Sequence, residues 1–324
     1  MHFPYGWRPP RLVGMSVEAV RRPALLPGVA TMLATGVSNQ VGAAVGAHAF
    51  PAIGPAGVTA VRQFVAAAVL LPVARPDFRR FTRAQWWPTI ALGLVFATMN
   101  LSLYTAVDRI GLGLAVTLEF LGPLAVAIGQ SRSRRDLLFA ATACSGVWVL
   151  VLPGPTSDYL GLGLAVLAAG CWASYILLNR LLGSRLPGLQ GPAAATSVSA
   201  LLYVPVAVIL AAQGRFAGAA LVYAISAGVF ASAVPYAADL IVLRRVPAQF
   251  FGVFMSVNPV LAALAGMVIL AERPALHEWA GILIVVVTNA LMVSGGARSG
   301  RRPAAAAPAQ PGSSPDRRSA PRGR

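Results

Sequence analysis

Apolar residues along this chain come in long runs separated by short polar or arginine-bearing breaks. Ten such runs can be marked, at roughly 28–50, 57–74, 88–107, 110–130, 136–152, 161–179, 192–212, 219–242, 248–270 and 277–295. Most approach the length of about 20 residues that a helix needs to cross the hydrocarbon core, and several are joined by only three or four residues, as tight helical hairpins are. The pattern predicts an all-α membrane protein with ten transmembrane helices. Its least marked points are the short run at 136–152 and the break at Asp108-Arg109-Ile110-Gly111, which alone separates the third run from the fourth. Residues 1–27 are polar and hold no apolar core of a signal peptide; Met15 is an alternative start. From Gly296 onward the Arg, Pro, Ala and Ser composition cannot bury a core, so 296–324 reads as a disordered tail.

Charge gives these runs a direction. The chain has 26 basic residues, all of them Arg, and a formal net charge of +16. Arg8 to Arg22 precede the first run, Arg75 to Arg83 follow the second, Arg132 to Arg135 the fourth, Arg180 and Arg185 the sixth, and Arg244 and Arg245 the eighth. The tail carries the next group, whereas Arg109, Arg215 and Arg273 fall on the other side and Arg62 lies inside a run. This alternation follows the positive-inside rule and predicts cytoplasmic termini with an even number of spans in the cytoplasmic membrane. It also excludes a nucleic-acid groove, which would gather the charge on one face. Only 11% of the residues are charged, against about a quarter in a soluble domain, while 57% are hydrophobic. Cys144 and Cys171 both fall in apolar runs and read as small packing residues.

The chain repeats itself at an offset of 136. Val107 to Leu124 aligns with Leu243 to Val260, and Pro123 falls on Pro259. Two units follow, 28–152 and 161–295, with five helices each. Because five is odd, the second is inverted relative to the first, the inverted-repeat architecture of secondary transporters.

Several motifs carry a resemblance: Ala56-Gly-Val-Thr-Ala-Val-Arg62, Met99-Asn-Leu-Ser-Leu-Tyr104, Ala115 to Val126 around Glu119, Ala169-Gly-Cys-Trp-Ala173, Val234-Pro-Tyr236 and Met255 to Ala263. In order and spacing, the chain resembles the drug/metabolite transporter superfamily, and within it the EamA-type exporters of threonine and homoserine. The resemblance covers about residues 28–295 and implies ten spans, cytoplasmic termini, two five-helix repeats and efflux of a small metabolite against protons; it fixes the substrate less firmly. Asn258 stands where such exporters carry an acidic residue before the proline, which weakens any carboxylate role for the second repeat there.

The candidate chemistry is sparse. Glu119 lies about 12 Å into its helix and Arg62 about 8 Å into its own, at 1.5 Å per residue. A charge at such depth is costly and marks a working site unless it is paired. Glu119 could titrate a proton or bind an ammonium group, and Arg62 could pair with it, hold a substrate carboxylate bidentately or snorkel to the headgroups. Asn39, Gln40, Asn100 and Asn258 fall near mid-membrane and suit a cavity lining or bonds between helices. Trp172 and Tyr236 are candidate walls, with Tyr104 and Tyr175 set behind them. Gly122, Pro123 and Pro259 are candidate helix breaks or hinges. Asp239 with Arg244 is either an inner gate or an interfacial pair. No metal-ligand spacing, nucleotide loop or nucleophile–base pair is present, so the chain reads as neither an enzyme nor a cofactor or metal protein, and transport must be driven by a gradient. The expected partners are the small-molecule substrate, protons, the bilayer and, as a candidate, a second copy of the chain. Proton-coupled efflux of a cationic drug and passive facilitation of a metabolite are the alternatives.

Overall fold

The computed structural model describes residues 25–129, 134–152, 158–216, 218–235 and 256–299. Among these residues regular structure is entirely helical. The helices are α1 Leu25–Ala47, α2 Phe50–Ala74, α3 Arg83–Ile110, α4 Leu112–Glu119, α5 Leu121–Gly129, α6 Arg134–Val151, α7 Tyr159–Gly183, α8 Gln190–Leu202, α9 Val204–Ala212, α10 Gly218–Gly228, α11 Asn258–Ile269 and α12 Leu276–Ser299, with a π-helical turn, Val229–Ala233, continuing α10. Phe50–Ala74, Arg83–Ile110, Tyr159–Gly183 and Gln190–Ala212 are long and apolar enough to cross a membrane, and shorter apolar helices accompany them. Large apolar side chains face outward, Leu94 and Val268 among them, as a bilayer rather than water requires.

Local chemistry explains most of the boundaries. Thr82 and Gln85 form a capping box at the start of α3, and the Asp158 side chain accepts from the Gly161 N–H at the start of α7. Gly111, at φ +83°, closes α3 within the charged break. α2 begins earlier than its apolar run, at Phe50, and kinks at Gly54, φ +69°. α12 runs to Ser299, into the stretch expected to be a disordered tail; residues 300–324 lie outside the described residues, as do 1–24.

Two of the apolar runs are broken helices. The run at 110–130 divides into α4 and α5 at Phe120. Pro123 has no N–H to offer the Glu119 carbonyl, and its ring displaces that carbonyl from a helical position. The run at 192–212 divides in the same way at Tyr203, two residues before Pro205. The buried Tyr203 hydroxyl donates to the Ala97 carbonyl at 2.7 Å and fixes this second break against α3. A third turn, at Ser256–Val257, precedes α11 with Pro259 in its first turn. Phe120 and Ser256 stand at the same offset of 136 that relates the two prolines.

The helices interleave. α3 packs on α7 and α8, α10 on α1 and α2, α4 on α7, α11 on α1, and α2 on α8, α4 on α11 and α6 on α12. Small residues allow the close approaches: a Cβ on Gly42 would lie 2.7 Å from the Ala231 nitrogen, and one on Gly46 2.7 Å from Ala227 Cβ.

Candidate functional site

Where α1, α2, α3, α4, α7 and α11 meet, they line a partly open cavity of about 220 Å³. Eight of the side chains singled out from the sequence line it: Glu119, Arg62, Asn100, Asn39, Gln40, Asn258, Trp172 and Tyr104. They come from six helices and from both halves of the chain, so the packing alone brings them together.

Glu119 is the last residue of α4, 7% exposed, at the edge of the break. Among the described residues it has no hydrogen-bond or salt-bridge partner, and its carboxylate faces the cavity. Phe120 stacks edge-on against Trp172, centroids 4.7 Å apart, and so fixes the break against α7. Gly122 adds to this contact, since a Cβ there would meet the Ala169 carbonyl and lie 3.1 Å from Trp172 Cβ.

Arg62 does not snorkel outward. Its Nε donates to Ser232 Oγ at 3.0 Å, one terminal nitrogen to the Tyr104 hydroxyl at 3.2 Å and the other to the Ala231 carbonyl at 3.0 Å. The guanidinium also sits 5.4 Å from the Tyr104 ring centroid. The π turn makes this possible: it widens α10 by one residue, and such turns are frequent at functional sites. Ser38 on α1 bonds the same turn through the Phe230 carbonyl, at 2.8 Å.

The amides divide between cavity and structure. Gln40 Nε2 donates to Asn258 Oδ1 at 3.4 Å, a long bond between α1 and α11. Asn100 Nδ2 donates back to the Phe96 carbonyl of its own helix at 2.8 Å. Pro123 and Pro259 lie in the first turns of α5 and α11, beside the two turns. Tyr236, Asp239 and Arg244 lie outside the described residues, so the inner-gate pair is not placed. Among the described residues no three His, Cys, Asp or Glu converge as metal ligands would.

Tyr104, set behind Trp172 as a wall from the sequence, does line the cavity, and it is also fully buried and holds Arg62. Sequence reasoning missed Ser232 altogether, because a serine in an apolar helix is commonplace and a π turn leaves no periodic signature. It also gave no role to Glu272. This side chain crosses from the connection after α11 and accepts from the Leu112 N–H at 2.8 Å, capping α4 from outside it. Burial pushes the Glu272 carboxyl above the usual glutamate range, against the pull of the Leu112 and Gly113 N–H groups. Near the same hairpin Arg109 pairs with Asp158 at 2.9 Å. The Gly161 N–H, and then Arg109, hold the Asp158 carboxyl below the usual aspartate range.

Residues 159–294 match the EamA-like transporter family. The threonine/homoserine exporter RhtA of Salmonella typhimurium is 34% identical over 256 residues, 77% of this chain and 85% of the relative. RhtA of Escherichia coli K12 is 34% identical over 258 residues, 78% and 86% of the two chains. A solved crystal structure superposes with a TM-score of 0.57 over 86% of this chain and 99% of its own, at 16% identity, a likeness of fold alone. Identity of this extent, together with the family match in the second half, shows that the chain belongs to the EamA-like transporter family and is a multi-pass membrane transporter, not an enzyme.

Proposed function

We propose that the protein exports a small hydrophilic amino acid, threonine or homoserine in the first instance, in exchange for protons by alternating access. The observation that carries the reading is the presence of Arg62 and Glu119 in one small cavity with amides around them. A zwitterionic amino acid offers a carboxylate to the guanidinium and an ammonium to the carboxylate. A carboxylate that binds either a proton or an ammonium couples the two ligands through one group. The volume favours a metabolite, since about 220 Å³ falls below the roughly 300–1,000 Å³ of pockets for drug-sized ligands. The names of the RhtA relatives agree with this substrate class.

The architecture proposed with it has ten spans in two inverted five-helix units, with cytoplasmic termini. Exchanging α1 with α7, α2 with α8–α9, α3 with α10, α4–α5 with α11 and α6 with α12 turns the main packing pairs between the halves into others that are present: α3–α7 becomes α10–α1, α3–α8 becomes α10–α2, and α4–α7 becomes α11–α1. The pairs α2–α8, α4–α11 and α6–α12 map onto themselves. This exchange and the common offset of the two turns support the inverted repeat.

The test uses inverted membrane vesicles with an acid lumen, in which protons leaving the lumen should concentrate labelled threonine or homoserine inside it. Glu119→Gln should abolish concentration while leaving downhill exchange measurable. Gradient-driven uptake that survives the substitution removes Glu119 from the coupling. Flux indifferent to the gradient in the unmodified protein makes it a passive facilitator.

A further inference from the structure

We infer that Tyr104 and Ser232 are positioning residues that hold Arg62 as a fixed receptor for the substrate's carboxylate, so that the site selects amino acids with a free α-carboxylate over amines lacking one. This rests on the assignment of the cavity to an amino acid and adds to it the residues that set its selectivity.

The argument is a count of donors. A guanidinium has five N–H groups in a rigid plane. Ser232 and Ala231, adjacent on the π turn, take the Nε proton and one proton of a terminal nitrogen, and Tyr104 takes one from the other terminal nitrogen. One N–H then remains on each terminal nitrogen for a carboxylate to accept. Both holding groups are themselves fixed. Tyr104 is fully buried, with its ring edge-on to Phe50 at 5.7 Å, and Ser232 is 4% exposed. The holding groups belong to α3 and to the π turn, whereas Arg62 belongs to α2, so three helices set one orientation. A loose arginine would lose more rotamer freedom on binding a carboxylate; a held one has lost it on folding.

The test compares two competitors of labelled homoserine uptake in vesicles, threonine and threoninamide, which differ at the carboxylate. In the unmodified protein threonine should compete the more strongly. Tyr104→Phe removes one hydroxyl and keeps the ring; Ser232→Ala removes the other holding hydroxyl. Each should raise the inhibition constant of threonine at least about tenfold, the lower end of the effect of one lost hydrogen bond to a charged group, and leave that of threoninamide within about twofold. If both competitors weaken in parallel in either variant, the residue is merely structural and the inference falls; it falls equally if neither weakens. Equal competition by threonine and threoninamide in the unmodified protein overturns the carboxylate assignment itself, and the positioning roles with it. Should Tyr104→Phe not fold, Ser232→Ala decides alone.

Discussion

Replacing Glu272 by Ala removes a cap that one half of the chain supplies to the other. α4 has only eight residues, and its N-cap position is Gly111, which has no side chain. Its first N–H, on Leu112, is bonded at 2.8 Å by the carboxylate of Glu272. The carboxylate fits a slot made for it: a Cβ on Gly111 would lie 3.2 Å away, and one on Gly266 would collide with Oε2. Loss of a capping acceptor costs about 0.5–2 kcal/mol, and loss of a negative charge at a helix N-terminus about 0.3–1 kcal/mol more. Desolvation of the charge works the other way, since it is the largest influence on this carboxyl. The expected net loss is about 1–2 kcal/mol, a fall in the unfolding midpoint of about 2–4 °C per kcal/mol in a chain of 150–250 residues and less in this longer one. Glu272→Gln separates the two effects, because it keeps the acceptor and drops the charge. A folded pKa above the ordinary value means that the pH-dependent part of Glu272's contribution is largest below its unfolded pKa, about 4.3, and that this part, not the capping bond, is lost as pH rises through the folded pKa. The Gln variant should therefore gain on the unmodified protein between pH 4 and pH 7. Thermal unfolding in detergent, followed by the fluorescence of the six tryptophans, reads both effects. An Ala variant as stable as the unmodified protein at pH 7, or a Gln variant whose relative stability falls with pH, refutes the reasoning.

Two further expectations concern packing and charge. Gly42→Leu should destabilise by about 1–3 kcal/mol and impair transport, because the Cβ meets backbone of the π turn that also holds Arg62; Gly170→Ala, inside α7 with nothing within 4 Å, is the control and in the same assays should leave uptake unchanged and cost no stability. Asp158→Asn should narrow the pH dependence of stability on the acid side: the folded pKa is depressed, so the contribution of Asp158 is present above the ordinary aspartate pKa and lost as pH falls through the folded one. Unfolding midpoints of the two proteins should converge in acid, and added salt should shrink their difference at neutral pH because the pair with Arg109 is partly exposed.

Hydropathy and break residues carried the all-helical class, since a bilayer admits few alternatives for a run of about 20 apolar residues. They also carried Glu119 and Arg62, because an ionisable side chain inside such a run is rare enough to stand out. Glu119, Arg62 and the amides could be named from depth along their helices, but depth says nothing about azimuth. That Asn39 and Asn258 face one cavity, that Arg62 turns inward and that Asn100 bonds its own helix depend on how the helices rotate against one another. Phe120 rather than Pro123 marks the break itself, because the proline acts on the carbonyl four residues earlier. Ser232 and Glu272 were silent in the sequence for the same reason: each acts on a partner far along the chain, Arg62 in one case and the end of α4 in the other. Local composition therefore determined the all-helical membrane class and which side chains are costly inside an apolar run. Only the tertiary structure decided which of those side chains share a site, because that depends on the interleaving of two halves whose contacts leave no local pattern.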